Sequence, residues 1–160
     1  MENKKYYVAY GSNLAVEQMA KRCPDARVVG TAILNGWALL FKRHATIERI
    51  PTRKTPVLVW GISEQDEEAL DAYESFPSYY YKKDLKVEVF PTEGGNTMRV
   101  TAMVYIMQEY HDLSMPSPYY YKVISDSYKA LHFPMHVLKQ ALVDSTDKEA
   151  AEDFLGKWGL

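Results

Sequence analysis

The fold of this chain is decided at Tyr10-Gly11-Ser12-Asn13-Leu14. Residues 6–10 are aromatic and apolar, which favours a β-strand, whereas residues 14–22 carry helix-forming residues with apolar positions on one face. Gly11 allows backbone angles that other residues resist, and Ser12 and Asn13 are both common N-caps. We therefore predict that a strand stops here and that free backbone N–H groups mark a helix start. Such a start attracts a carboxylate or an oxyanion, although a capped turn without a ligand also fits the pattern.

The segment after this helix is rich in β-forming residues. It spans residues 27–43 and contains Asn35-Gly36, which predicts a turn or a β-bulge. Residues 45–54 are polar and lead into a proline-containing stretch, so we predict a flexible loop there. The apolar run at residues 56–62 then predicts an interior strand.

Capping patterns mark the later helices. Ser63, followed three residues later by Asp66, is a capping-box pattern and predicts a helix over residues 63–75. Strands are predicted at residues 79–90 and 98–107, joined by a hairpin at 92–96, and helices at 119–131, 134–143 and after 147. Strands thus precede helices, which indicates an α+β fold with a small, curved, mixed β-sheet or barrel and flanking helices. The length of 160 residues fits a single domain over residues 1–160.

The composition limits the classes of function. The net charge of −2 argues against a nucleic-acid partner, and one cysteine excludes an internal disulfide or a cysteine-based zinc site. The start of the chain does not resemble a secretory signal, and no stretch could span a bilayer, so we expect a cytoplasmic enzyme or binding protein without a membrane partner. Thirteen tyrosines suit the wall of a polar cavity, but they also suit ordinary strand surfaces.

Glu74 is the candidate general acid or base. It is predicted at the end of a helix, beside the aromatic residues Tyr73, Phe76 and Tyr79. Partial desolvation by these neighbours would raise its pKa and make it a useful base near neutral pH. The ordinary alternative is a solvated glutamate at a helix end.

Several of these stretches, in order, resemble the γ-glutamylcyclotransferase-like family. Residues 10–14 resemble its YGSNL signature, and the similarity extends over roughly residues 6–135. It continues through Gly30-Thr31-Ala32-Ile33-Leu34, Trp37-Ala38-Leu39-Leu40-Phe41, Val59-Trp60-Gly61-Ile62, Leu70-Asp71-Ala72-Tyr73-Glu74, Tyr81, Ala102-Met103-Val104-Tyr105 and Pro116-Ser117-Pro118-Tyr119-Tyr120.

The resemblance implies a γ-glutamylcyclotransferase-like fold and a reaction that needs neither metal nor cofactor. Its substrate is a small γ-glutamyl compound whose α-amine attacks its own γ-carbonyl, releasing 5-oxoproline and an amine or amino acid. The family's catalytic acid falls on Glu74. Its substrate-binding residues fall on Tyr10, Gly11, Ser12, Asn13, Leu14, Tyr81, Tyr105 and Tyr120. The protein is expected to be a monomer or a homodimer.

Two departures affect this transfer. Ser75 follows Glu74 where the family frequently has glycine, which predicts a different angle at that turn. The tyrosine triplets at residues 79–81 and 119–121 leave the register open by one residue, and in a strand such a slip moves a side chain to the opposite face.

Other functions stay open from sequence. Ser12 lacks the flanking glycines of a G-x-S-x-G nucleophile elbow, so a hydrolytic serine is disfavoured. The same cavity could serve as a non-catalytic binding module for a small amino-acid-like ligand. A cyclotransferase for γ-glutamylamines or γ-glutamyl-modified metabolites would differ only in the leaving group, with specificity expected in loops at residues 45–55 and 108–115.

Overall fold

The computed structural model describes residues 5–160, which form a closed β-barrel flanked by helices. The strands are β1 (Lys5–Ala9), β2 (Arg27–Lys42), β3 (His44–Ile62), β4 (Tyr80–Pro91) and β5 (Met98–Met107). The helices are α1 (Val16–Arg22), α2 (Glu64–Tyr73), α3 (Pro118–Leu131), α4 (Met135–Ser145) and α5 (Lys148–Trp158), and a 3-10 turn (Ser12–Leu14) precedes α1. The predicted α+β class with a small, mixed barrel is confirmed. Our expectation that the start of the chain is not a secretory signal concerns residues 1–4, which lie outside the described part.

The strands are hydrogen-bonded in the order β1-β3-β2-β4-β5, and β5 returns to β1. All pairs are antiparallel except β1 with β5, which are parallel at Tyr6↔Ala102 and Tyr7↔Met103. The barrel encloses a core of aliphatic and aromatic side chains. None of the helices formed by residues 5–160 is both long and apolar enough to cross a bilayer.

The long β2–β3 pair corrects one prediction. We predicted a loop at residues 45–54, but β3 begins at His44 and pairs with β2 continuously from Lys42↔His44 to Trp37↔Arg49. Ala45, Thr46 and Ile47 are buried, while polar residues further along, such as Arg49 and Lys54, are exposed. The polarity of this stretch is what made the sequence look like a loop. The predicted irregularity at Asn35-Gly36 is confirmed as a bulge between Asn35 and Trp37.

Capping explains where α2 begins but not where α1 does. Ser63 Oγ accepts a hydrogen bond from Asp66 N, and Asp66 Oδ2 accepts one from Ser63 N, so the predicted capping box is confirmed. Our prediction that Ser12 and Asn13 cap the first helix is wrong, because α1 follows Ala15 and has no side-chain cap. The side chains of Ser12 and Asn13 instead bond to tyrosines of other elements, described below.

Candidate active site

A cavity of about 370 Å³ opens where the 3-10 turn, the end of α2 and the β2–β3 hairpin meet. Among residues 5–160, its walls carry one carboxylate, several tyrosines and the backbone of the 3-10 turn. The lining residues are Tyr7, Val8, Tyr10, Gly11, Ser12, Asn13, His44, Ala45, Tyr73, Glu74, Ser75, Tyr79, Tyr80, Tyr105 and Tyr120.

Glu74 reaches this cavity because α2 ends there. It is the C-cap of α2, and the next two amides fold back: Ser75 N donates to Ala72 O at 3.2 Å and Phe76 N to Asp71 O at 2.9 Å. This is the Schellman pattern, whose C′ residue takes a left-handed conformation. Ser75 occupies that position with φ 51°. Serine therefore adopts the region that glycine favours, and not the different angle that we expected.

Burial raises the pKa of Glu74 to about 7, and the charge of Arg22 opposes this shift. No group within residues 5–160 forms a hydrogen bond with the Glu74 carboxylate. Burial also raises the pKa of four surrounding tyrosines, with a further contribution from the Glu74 charge; these are Tyr7, Tyr10, Tyr80 and Tyr120. The tyrosines therefore stay protonated at neutral pH, whereas Glu74 exchanges a proton there.

The end of α2 is anchored one turn before Glu74. The Tyr105 hydroxyl donates to the Asp71 carboxylate, which also pairs with Lys82 Nζ at 2.9 Å. Lys82 in turn pairs with Glu67 Oε2 at 2.6 Å. Charged partners strengthen such hydrogen bonds, so these contacts fix α2 against strands β4 and β5 and thereby orient Glu74 toward the cavity.

The 3-10 turn lines the same cavity as Glu74. Leu14 N donates to Gly11 O at 3.0 Å, but no acceptor within residues 5–160 receives the amides of Ser12 and Asn13. A Cβ on Gly11 would lie 3.1 Å from Ala45 Cβ and 3.2 Å from Tyr120 Oη, so close approach of the neighbouring elements favours glycine here. Ser12 Oγ shares a hydrogen bond of 3.0 Å with Tyr73 Oη.

Asn13 ties the turn to the barrel through its whole side chain and its carbonyl. Its Nδ2 donates to Tyr7 Oη at 2.9 Å, its Oδ1 accepts from Arg22, and its backbone oxygen accepts from Trp60 Nε1 at 3.2 Å. Arg22 also covers the Tyr73 ring, with Cζ 3.6 Å from the ring centroid. The backbone of the turn is therefore held in place before any ligand arrives.

Some tyrosine hydroxyls of the cavity already donate their proton in a hydrogen bond, and others still have a proton to donate. Tyr10 donates to Tyr105 O at 2.6 Å, and Tyr80 donates to Ala45 O at 2.8 Å. Tyr120 Oη accepts from Ala45 N at 3.0 Å, as Tyr7 Oη accepts from Asn13, so each of these two retains a proton to donate. Tyr7 and Tyr120 are therefore hydrogen-bond donors available at the cavity wall.

The structure brings most of the predicted site residues together. Glu74, Tyr10, Gly11, Ser12, Asn13, Tyr105 and Tyr120 line the cavity. Leu14 does not, because its side chain is buried in the core. Tyr81 does not either, since its hydroxyl donates to the Glu109 carboxylate outside the cavity, and Tyr80 takes the cavity position instead.

Sequence reasoning missed Tyr7, Tyr73, Tyr80 and His44. The signal for Tyr80 was the hairpin: β4 and β5 pair as Val89↔Met98, and the same register places Lys82 opposite Tyr105. Directly opposite residues share a face, so the even-numbered residues of β4, including Tyr80, lie on the face of Tyr105. His44 was missed because we predicted a flexible loop at residues 45–54, whereas β3 in fact begins at His44.

Known proteins share both the sequence pattern and the architecture. The family model described as "Gamma-glutamyl cyclotransferase, AIG2-like" matches residues 7–129. The protein named gamma-glutamylcyclotransferase from Homo sapiens is 30% identical over 146 residues, covering 84% of this chain and 75% of the human one, and that from Bos taurus matches to the same extent.

Solved structures share the architecture of this chain. One named gamma-glutamyl cyclotransferase superposes with a TM-score of 0.71 at 26% identity, covering 97% of this chain and 99% of its own. An AIG2-like protein from Mus musculus shares the fold, with a TM-score of 0.55 at 19% identity over 74% of this chain and 83% of its own. The predicted resemblance is thus confirmed, and with it an enzyme family: this chain belongs to the gamma-glutamyl cyclotransferase, AIG2-like family.

Proposed function

We propose that this protein cleaves a small γ-glutamyl amide by intramolecular cyclisation and releases 5-oxoproline together with an amine or amino acid. One observation carries the proposal. The Glu74 carboxylate, whose pKa is raised to about 7, lines the same cavity as Ser12 and Asn13, whose amides find no acceptor within residues 5–160. A γ-glutamyl head carries an ammonium group and a carboxylate on one carbon, so it needs an acidic group and a set of donors a few ångströms apart.

The polar groups suggest how the substrate binds. Glu74 suits the α-ammonium group, because it is the carboxylate that lines the cavity. The amides of Ser12 and Asn13, with the free protons of Tyr7 and Tyr120, suit the α-carboxylate or the carbonyl oxygen on which charge develops. Holding the amine against the γ-carbonyl carbon is a positioning effect that can supply up to about 7–11 kcal/mol for ideally oriented groups.

The chemistry then requires little beyond proton transfer. The α-nitrogen loses a proton to Glu74 and forms a bond to the γ-carbonyl carbon, which closes the five-membered ring. The bond from that carbon to the leaving nitrogen breaks as Glu74 returns the proton to this nitrogen. The ionised Glu74 then takes the second proton from the ring nitrogen and passes it to the released amine, which leaves as an ammonium ion. A base whose pKa lies near the working pH performs these transfers, typically for a gain of ~10²–10⁴-fold.

A change of one atom in Glu74 tests the proposal. Glu74→Gln keeps the size and polarity of the side chain but cannot take a proton, so release of 5-oxoproline should fall at least about 100-fold. Glu68→Gln, at an exposed position of the same helix, is the matched control and should leave the rate unchanged. Turnover is followed by chromatographic detection of 5-oxoproline from a panel of γ-glutamyl amino acids and amines.

Two results would contradict the proposal. Full activity of Glu74→Gln would show that another group moves the proton. If no member of the panel yields 5-oxoproline but one of them raises the melting temperature of the protein, the cavity is a binding module without catalysis.

A further inference from the structure

The cavity opens between the tip of the β2–β3 hairpin and the end of α2. Three of its lining residues are exposed and therefore mark the mouth: His44 on the hairpin, and Tyr73 and Ser75 beside Glu74. His44 is the one of these three that can carry a positive charge. Arg43, its neighbour, forms the turn between β2 and β3, is exposed and has φ 69°.

The two basic side chains at the tip have no partner of opposite charge in the part of the chain that the structure describes. Among residues 5–160, neither the Arg43 guanidinium nor the His44 imidazole forms an ion pair or a side-chain hydrogen bond. His44 packs edge-on against Tyr120, with the ring centroids 5.1 Å apart. Burial and the nearby Arg43 charge lower the pKa of His44, which places the guanidinium within electrostatic reach of the imidazole.

The lysine next to the hairpin tip is not available to a ligand. Lys42 Nζ points inward and pairs with Glu48 Oε2 at 2.8 Å, and the lysine side chain is only 4% exposed. His44, which lines the cavity, and its neighbour Arg43 therefore form a basic pair beside the mouth that has no acidic partner within residues 5–160, and we call this pair the 43–44 rim.

We infer that the 43–44 rim determines specificity by binding a carboxylate on the leaving group, so that the enzyme prefers γ-glutamyl amino acids or peptides over γ-glutamylamines. This inference rests on the proposed function. With the charges of the γ-glutamyl head bound at Glu74 and at the 3-10 turn, the scissile amide directs the leaving group toward the mouth. A γ-glutamyl amino acid carries its second carboxylate there, where the planar guanidinium of Arg43 matches its geometry and His44 offers a ring N–H.

A matched pair of substrates isolates this contact. γ-Glutamyl-alanine and γ-glutamyl-alaninamide have nearly the same size and differ by the charge of one carboxyl group. The wild-type protein should show at least a tenfold higher kcat/KM for γ-glutamyl-alanine, and this ratio should shrink as salt is added, because exposed charges are screened.

Variants of the rim connect the preference to these residues. Arg43→Asn suits the left-handed backbone while removing the charge, and His44→Gln keeps a polar donor of similar reach. Each should lower the ratio of kcat/KM between the two substrates, and the double variant should reduce it at least tenfold. Lys86→Gln, an exposed cation of β4, removes the same charge elsewhere and should leave the ratio unchanged.

The outcomes separate this inference from the proposed function. If the wild-type protein releases 5-oxoproline from both substrates equally, or from γ-glutamylamines alone, the inference is overturned while the cyclotransferase activity stands. An unchanged ratio in the double variant has the same meaning. If no γ-glutamyl compound yields 5-oxoproline, the proposed function fails and the inference fails with it. The salt series on the wild-type protein decides the question even if a variant does not fold.

Discussion

At the scale of single residues, burial affects the pKa of Glu74 more than the nearby charge does. Its carboxylate is desolvated by the tyrosines of the cavity wall, and Arg22 acts on it from beyond hydrogen-bond distance. An ion pair would stabilise the charged form and keep the group from acting as a base near neutrality. The distance of Arg22 therefore matters: Arg22 is held by Asn13 and by the Tyr73 ring, away from Glu74.

The raised pKa predicts the pH dependence of the reaction. Glu74 must be ionised to accept a proton, and burial raises its pKa to about 7, so kcat/KM should fall roughly tenfold per pH unit below pH 7. The measurement is a pH profile of 5-oxoproline release, with circular dichroism to verify that the protein stays folded. A profile that stays flat down to pH 5 would mean that the base titrates as an ordinary glutamate does.

The residues of the site could be predicted where local chemistry determines them, but not where the register of a strand determines which side chain faces the cavity. Glu74, Ser12, Asn13, Tyr105 and Tyr120 were placed together from the resemblance, and they line one cavity. The choice between Tyr80 and Tyr81 depends on which strand faces β4, a long-range fact that a run of three tyrosines conceals. Their role in binding stays a prediction.

At the scale of elements, the end of α2 carries a strained residue. Ser75 has φ 51° at the C′ position, where a residue with a Cβ costs about 1–2 kcal/mol relative to right-handed backbone. The strain persists because the two folded-back amides and the anchored Asp71 determine the path of the chain. The turn that orients Glu74 is thus maintained by the surrounding structure.

Relief of this strain should stabilise the protein. Ser75→Gly removes the Cβ, and part of the gain is offset by the greater freedom of glycine in the unfolded chain, so we expect about 0.5–1 kcal/mol in the free energy of unfolding. Urea denaturation measures the difference. Ser75→Ala keeps the Cβ and serves as the control; an equal gain in both variants would rule out backbone strain as the cause.

Elements were predictable from sequence when their ends carry specific chemistry. The capping box of Ser63 and Asp66 located α2, and the glycine-rich turn located the β4–β5 hairpin. The first half of β3 was not predictable in the same way, because residues 45–54 owe their strand conformation to pairing with β2 and not to their own composition. This error also hid the 43–44 rim.

At the scale of the whole molecule, barrel closure depends on a narrow contact. Strands β2 and β4 meet only at Gly30↔Pro91 and Thr31↔Phe90 within the described pairing. A Cβ on Gly30 would lie 2.1 Å from Phe90 O and 2.8 Å from Phe90 C, distances that the backbone cannot accommodate without moving. The closure of the sheet, and thus the relative position of its two edges, therefore requires glycine at this position.

A substitution at this contact should destabilise the whole barrel. Gly30→Ala forces β2 and β4 apart, so we expect a loss of about 3 kcal/mol or more in the free energy of unfolding. Gly156→Ala is the control, since a Cβ there meets nothing within 4 Å and alanine favours a helix by up to about 1 kcal/mol. Thermal and urea denaturation compare the two; similar stabilities would indicate that the β2–β4 contact does not hold the barrel closed.

The sequence indicated a curved sheet but not how it closes. Closure needs the parallel pairing of β1 with β5, which are about a hundred positions apart along the chain, and no local pattern specifies such a partner. The position of the cavity at the junction of barrel and helices follows from this closure, so it became apparent only in the structure.

The two tyrosine hydroxyls that bind Ala45 have a consequence for how this protein can diversify. Tyr80 and Tyr120 satisfy the backbone of β3 where no neighbouring strand does, so exchanging either for phenylalanine would leave a buried peptide group without a partner. The exposed tip at residues 43 and 44 carries no such structural duty. We therefore expect that residues 43 and 44 can be varied to admit new leaving groups, whereas Tyr80 and Tyr120 have to remain tyrosines.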